Sequence, residues 1–458
     1  MSVKYTALCV LCPLIALYSL IISPNPAVEI TSDGSVVSPV PVAGNSQGFM
    51  TSWINMNSGS LEFATTNNNG VSWSAPGALP VANSPLSMPW IAANDNGFVV
   101  TWADTNGDLY ATFTSNFGLS WSAATIIASG AVTNPPPTIT TSSSGFLITW
   151  WQTTNSIQSS FSTNGTSWTT PSQVYQNNTN VPQTFPIAAC SGSDSLIVWQ
   201  GYPTTGYSSF SSNNGTSWAS DVAITSTDIA YQSPIWVAFY GGAYVCCWQN
   251  LAGGAYASTS LNNGSSWSAP TLLVTGLSSS GIPPVAILGT AEGFFASAYF
   301  TDNSGRISYS TNNGATWSTF TPVTGSYPMN SNFGWAFLGI AQNTAGLMTS
   351  WIDSNGNAAA AFIPISAAPT PPSTLVGTGL TNEFPLQVQS YVSLSWPASA
   401  STNVIGYHVY RDGSLLASTT ERFYQDNNVI AGETYTYSVT AYSANGESPV
   451  TSATVRAP

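Results

Sequence analysis

The sequence predicts an all-β protein: a seven-bladed β-propeller whose N-terminal strand completes the last blade, followed by a C-terminal β-sandwich. Three observations predict it. A turn phrase ending in Trp recurs six times, at Trp73, Trp121, Trp168, Trp218, Trp267 and Trp317, a period of 47 to 50 residues. Such a period belongs to blades or solenoid units. An apolar run with an aromatic end recurs seven times, at Trp53, Trp102, Trp150, Trp199, Trp248, Phe300 and Trp351. Charged residues are only 5% of the 458, and Gly, Ser, Thr, Asn and aromatics stand in their place, as suits short strands joined by tight turns.

The turn phrase is clearest in Ser310-Thr311-Asn312-Asn313-Gly314-Ala315-Thr316-Trp317. Other copies are Thr66…Asn68…Gly70…Trp73, Thr114…Asn116…Gly118…Trp121, Ser211…Asn213…Gly215…Trp218 and Ser260…Asn262…Gly264…Trp267. A shortened copy ends Gly165-Thr166-Ser167-Trp168. Asn and Gly accept the positive φ that a tight hairpin needs. Ser, Thr and Asn side chains bond the turn's own backbone. The Trp is expected to open the next strand and fill the gap against a neighbouring sheet. The phrase resembles the Asp-box (BNR) repeat of sialidase-like β-propellers, with Asn at the Asp position in five copies and Thr163 in the shortened one. The resemblance implies turns that close hairpins on the face away from an active site.

Each unit reads as four strands. Strand A is led by Pro, as in Pro89-Trp90-Ile91, Pro186-Ile187 and Pro284-Val285. Strand B is the apolar run, for example Phe98–Trp102 or Phe294–Phe300. Strand C precedes the Trp phrase and strand D follows it. The seventh unit stops after strand C, near Ala358–Ile363, and Ala27–Thr31 is a strand with no unit of its own. Pairing the two closes the ring and removes a free sheet edge. A six-bladed ring would instead leave one unit as a decoration.

The chain divides into residues 1–26 (signal peptide or N-terminal anchor), a propeller over 27–367, a Pro-rich linker over 368–373 and a domain over 374–458. Lys4 and the apolar run Ala7–Ile22 give the first segment its export character. In the last, Leu394-Ser395-Trp396, Tyr407–Tyr410, the Asp412-Gly413 turn and Tyr435…Val439…Ala441 resemble a fibronectin type III domain. That resemblance makes Trp396 the core Trp and Tyr435 the tyrosine-corner residue. Cys190, Cys246 and Cys247 lie beyond the leader and form no framework of spaced pairs. They read as buried thiols, with one disulfide through Cys190 as the alternative.

The net charge is −13, and the basic residues are Lys4, Arg306, Arg411, Arg422 and Arg456. No basic surface for nucleic acid can be built, and a membrane partner requires that the N-terminal segment be retained. One arginine, Arg306, and no lysine fall in the propeller, so the three-arginine carboxylate clamp of sialidases is excluded. Histidine-based catalysis and zinc sites are excluded there too, since His408 is the one histidine; it reads as a surface or edge residue of a strand. A glycoside hydrolase needs only two carboxylates. Asp104, Asp302 and Asp353 in B–C turns and Asp228 in a D–A loop are the candidates, set against turn capping, as Asn55 and Asn250 would do in other units. Asp104-Thr105-Asn106-Gly107-Asp108 lacks the Gly spacing and downstream Glu of a calcium loop, so neither metal nor cofactor is expected.

Aromatics are the other resource. Trp90, Trp236 and Trp335 lie in or beside A strands, and Tyr175, Tyr202, Tyr231 and Tyr327 in rim loops. Exposed aromatic faces beside Asn, Gln and Ser suit neutral sugars, whereas the A-strand Trp residues suit plugging the central channel. The Asn164, Asn177, Asn214 and Asn263 sequons are glycosylation acceptors in a eukaryotic source. The expected function is an exported or surface-associated recognition module that binds glycan or protein through the propeller rim. The alternatives are a glycoside hydrolase and a structural surface protein.

Overall fold

The computed structural model describes residues 23–458, apart from 82–84, 86, 131–135, 153–154, 177–185, 203, 226–228, 231–232, 278–284, 331–337, 366–368, 386, 402–403 and 444–445. The predicted leader therefore lies almost wholly outside the described residues. No described residue is helical. The chain separates into two compact units, Ser23–Pro364 and one containing Ile365–Pro458.

The first unit is a closed ring of four-stranded antiparallel sheets, the architecture of a propeller. Seven such sheets are present among the described residues. Their A strands are Val42–Asn45, Trp90–Asn94, Thr138–Ser142, Ile187–Ser191, Trp236–Tyr240, Val285–Thr290 and Gly339–Gln342. Each A strand packs beside the next, and the first packs beside the last. Strands B, C and D follow outward by hairpins. In the seventh sheet the fourth strand is Val28–Glu29, which pairs with Ala358–Pro364 through Val28↔Ala360 and Glu29↔Ala359. The Ser350 hydroxyl also donates to the Val40 carbonyl across the closure.

The core lies between neighbouring sheets. Trp53, Trp102, Trp150, Trp199, Trp248 and Trp351 hold the same slot near the end of strand B and are buried. Trp102 stacks across the strands on Tyr110, Trp199 on Tyr207 and Trp248 on Tyr256, with centroids 5.6, 5.9 and 6.4 Å apart. The sixth sheet departs from the sequence reading, because its strand ends at Tyr299 and not at Phe300. Ala298 pairs with Arg306, as Trp102 pairs with Tyr110, so Ala298 holds the Trp slot. Arg306 stacks instead on Phe300, 4.3 Å from the ring centroid.

The Trp phrase forms a turn bonded to itself. In Ser310–Trp317 the Ser310 hydroxyl accepts from the Gly314 N–H at 2.9 Å, and Asn312 Oδ1 accepts from the Thr316 N–H at 2.9 Å. The Asn312 amide also donates to Thr316 Oγ1 at 2.8 Å. Two expectations are corrected here. The Trp does not open strand D, which begins four residues later, as at Thr125 after Trp121 and Val222 after Trp218. The indole instead turns back toward the ring: Trp218 Nε1 donates to Ser159 Oγ and Trp267 Nε1 to Ser208 Oγ, both on the preceding sheet, at 3.0 Å. In the shortened copy Asn164, not Thr163, holds the turn, accepting from the Thr166 and Ser167 N–H groups.

The turn glycine is fixed by conformation and by space. Gly118 has φ 85°, and an added Cβ would lie 2.4 Å from the Phe63 ring of the preceding sheet. Gly130 has φ 58° with nothing within 4 Å. Gly118→Ala is therefore expected to cost roughly 3 kcal/mol, and Gly130→Ala only about 1 kcal/mol of backbone strain. Equal denaturant midpoints for the two variants would contradict the docking of the turn on its neighbour.

The second unit is a β-sandwich. One sheet is ordered Val376–Phe384, Gln387–Ser395, Phe423–Asp426. The other centres on Gly406–Arg411 and Thr434–Ser443, flanked by Ser414–Thr419, Gly446–Glu447 and Thr451–Arg456. Val392, Leu394, Trp396, Tyr407, Val409, Val439 and Ala441 form its core. Tyr435 Oη accepts from the Ile430 N–H at 2.9 Å, the bond of a tyrosine corner. His408 corrects its reading as a surface or edge residue. Its strand is central, and the ring is half-buried with Nδ1 3.3 Å from Glu447 Oε1.

Candidate functional site

The seven A strands enclose a central channel of about 390 Å³, lined mainly by Val, Ile, Ala and Thr positions such as Val42, Ile139, Ile187 and Thr140. Trp90 and Trp236 are the first residues of the second and fifth A strands. Their rings meet with centroids 5.5 Å apart, and both are buried. Because a strand A begins where its strand B ends, the pair fills the channel at the end that carries the B–C turns. Both rings are buried in the channel wall and face each other across it. Cys190 also lines the channel, and burial pushes its thiol up to about 12. Cys190, Cys246 and Cys247 are all free thiols.

Of the carboxylate candidates, Asp104, Asp302 and Asp353 lie in or beside B–C turns. Asp104 Oδ1 accepts from the Asn106 and Asp108 N–H groups, both at 2.9 Å. Asp353 Oδ1 accepts from the Asn355 and Asn357 N–H groups at 2.8 and 2.9 Å. Asn250 makes the same bonds in the fifth sheet, and in the first Asn55 Oδ1 accepts from the Asn57 and Ser58 N–H groups. Asp104 and Asp353 are fully buried and hold their own turns. Asp108 Oδ1 accepts from the Gly130 N–H, so both acids of the 104–108 turn serve backbone groups.

Asp302 is offset from this pattern. The bridges Pro85↔Asp104, Met329↔Asp353 and Leu277↔Phe300 put Phe300, not Asp302, at the matching position. Asp302 is half-exposed and paired with Arg306. The Ser304 hydroxyl, then the Ser304 N–H and Arg306, hold its carboxyl below the usual value. Asp228 lies outside the described residues. No group of three His, Cys, Asp or Glu side chains among the described residues could hold a metal ion.

The aromatic candidates separate in the same way. Tyr175 is buried against Trp199, at 5.2 Å. Tyr327 is half-buried, its carbonyl accepting from Trp351 Nε1 at 2.9 Å. Tyr231 and Trp335 lie outside the described residues. Tyr202 is open, 56% exposed. Sequence reasoning missed Met56 and Leu251, 62% and 63% exposed. They follow Asn55 and Asn250 directly, as Tyr202 follows Gly201 at the matching turn position. The signal was present, since an apolar residue directly after a turn-capping Asn is held outward by the turn. The B–C rim thus offers apolar tips among Asn, Ser and Thr, with its described charges already engaged.

No family model matches this chain. Over 95 residues it is 39% identical to a poly(3-hydroxybutyrate) depolymerase of Ralstonia pickettii, covering 21% of this chain and 17% of that protein. Over 89 residues it is 34% identical to chitinase C of Streptomyces lividans, covering 19% of this chain and 13% of that protein. Over 85 residues it is 34% identical to an alpha-amylase of Niallia circulans, 18% and 6% of the two lengths. The chain therefore spans less than a fifth of each of these proteins. Among solved structures, a protein of unknown function from Dyadobacter fermentans aligns with TM-score 0.45 and 10% identity, over 75% of this chain and 99% of that one. A fungal lectin of Aleuria aurantia, a six-bladed β-propeller, aligns with TM-score 0.39 and 12% identity, over 63% and 97%.

Proposed function

We propose that the protein is an exported or surface-associated recognition module whose propeller rim binds a neutral glycan. In this reading the seven sheets are seven blades of an Asp-box type propeller, and the sandwich is a fibronectin type III domain. Six self-bonded Trp turns support the first assignment, and buried Trp396 with the Tyr435 corner supports the second. The apolar run Ala7–Ile22 supports export. A surface protein is the second class of partner for the same rim.

One observation carries the reading. The B–C rim displays Tyr202, Met56 and Leu251 while Asp104 and Asp353 are bonded into their turns and Arg306 is paired with Asp302. Stacking and neutral hydrogen bonds are what such a surface can offer. Hydrolysis by two rim carboxylates fits less well, because Asp104 and Asp353 are buried and already accept backbone bonds. A neutral-glycan array probed with the full chain tests the proposal. Tyr202→Ser is expected to weaken retention about tenfold, or ~1.4 kcal/mol. Equal retention by the variant, or no glycan bound by the wild type, would sink it.

A further inference from the structure

We propose that the outer face of the three-stranded sheet of the sandwich is a second binding surface, distinct from the propeller rim, for an extended, uncharged polysaccharide. The cross-strand register defines the face. Val376 pairs with Ser395, Leu380 with Tyr391 and Phe384 with Gln387, while Phe423 pairs with Ser395 on its other side. Directly paired residues project to the same side of a sheet, and successive residues alternate. The inward set, Gly377, Gly379, Val392 and Leu394, packs on the core: an added Cβ at Gly377 would lie 2.3 Å from Val455.

An antiparallel sheet with one buried face ordinarily shows polar residues on the other. On this face large apolar side chains stand open among the polar ones. Val376 is 57% exposed, Leu380 39%, Phe384 49% and Phe423 62%. Between them stand Thr378, Asn382, Gln389, Ser393 and Gln425, and no outward strand position carries a charge.

The chemistry of the face selects the partner. Without Lys, Arg, Asp or Glu it has nothing to pair with a phosphate, a carboxylate or an ammonium group. Purely apolar partners would leave its amides and hydroxyls without bonds. A neutral polysaccharide offers C–H faces for the aromatic and aliphatic side chains, and hydroxyls for the Thr, Ser, Asn and Gln groups between them. Val376, Leu380 and Phe384 lie four residues apart, about 13 Å per step along the strand, so the contacts are strung in a line and match a chain better than a single sugar.

The test uses the full chain with suspended microcrystalline cellulose and chitin particles as probes. Wild type is expected to sediment with at least one of them, and the triple variant Leu380→Ser/Phe384→Ser/Phe423→Ser to lose at least tenfold in retention. The three positions are exposed, so an unchanged unfolding midpoint is the folding control. Leu415→Ser, an exposed apolar position on the other sheet of the sandwich, is expected to keep wild-type retention on the particles, which separates this face from a general loss of apolar surface. Retention that falls with Tyr202→Ser and survives the triple variant would overturn the second surface and leave the rim reading standing. Absence of wild-type retention on both particles would overturn it, and so would a triple variant that only abolishes self-association in sedimentation velocity, because the face would then pair copies of the chain.

Discussion

Removing residues 23–36 is expected to turn the closed ring into an open arc that aggregates. The segment supplies the fourth strand of the seventh sheet and the bonds around it. The Asn25 N–H donates to Phe362 O at 2.8 Å, Ile30 N–H to Ala358 O at 2.7 Å and Val36 N–H to Gly356 O at 3.0 Å. Asn357 Nδ2 donates to Glu29 Oε1, and Gly34 N–H donates to Asn357 Oδ1, both at 2.8 Å. Val36 is fully buried with Trp53, Ile352 and Ala358. At ~1 kcal/mol net for each of these five hydrogen bonds and about 2 kcal/mol for the valine, roughly 7 kcal/mol is lost. That is comparable to the whole stability of many domains. The strand laid bare is Ala358–Pro364, Ala-Ala-Ala-Ala-Phe-Ile-Pro, an apolar edge ready to pair with another molecule. Size-exclusion chromatography and thermal unfolding check the outcome. A monomeric variant with an unchanged Tm would show that the ring does not depend on its first strand. Ile30→Pro, which removes one of these N–H donors, is expected to lower stability by a smaller step in the same direction.

In the sandwich, Asp426→Ala is expected to have the second large effect. Asp426 is 3% exposed, and its Oδ2 accepts from Arg411 Nη1 and from the Tyr437 hydroxyl, both at 2.8 Å. Burial, then the bond to Asp426, raises the Tyr437 hydroxyl well above its ordinary value, so it remains a donor throughout the neutral range. Deleting the carboxylate leaves the buried Tyr437 hydroxyl without its acceptor and takes the charge partner from Arg411, which keeps only the Asn428 carbonyl, a loss of about 3 kcal/mol. Tyr437→Phe removes one bond only and is expected to cost about 1 kcal/mol. Denaturant titration of the full chain, with fluorescence and near-UV circular dichroism read together, checks the order. Asp426→Ala milder than Tyr437→Phe would contradict the arrangement.

Most of the ring was legible because it is repeated. Six Trp phrases at one period gave the sheets their phase, and an unpaired first strand with an incomplete last unit gave the closure. The slot of the strand-B Trp was misread in the sixth unit, because Phe300 lies near the expected spacing while the register places Ala298 there. The Trp of each turn was placed in strand D because an aromatic after a hairpin reads as a strand residue. At Trp218 and Trp267 the indole bonds a hydroxyl on the sheet before it, a contact between units that no local pattern encodes. The rim was harder still. Asp104, Asp353 and Asp302 look alike in sequence, yet two are interior turn acceptors and one is an exposed partner of Arg306. Met56 and Leu251 escaped notice because the polar residues around them draw attention first.

The turns that dock one sheet on the next are built from amides and hydroxyls where a carboxylate would serve as well. In all six, an Asn oxygen accepts the backbone N–H groups, and nothing in that small network changes its protonation between neutrality and strong acid. Asp302, an exposed carboxylate, lies outside these six turns. With its pKa depressed on folding, its small contribution is present above the ordinary value of 3.8 and fades as pH falls through the folded one. The six joints at the Trp turns therefore offer acid nothing to protonate, and the carboxylates that accept bonds in this ring sit elsewhere, in the B–C turns and at Glu29 beside the closure.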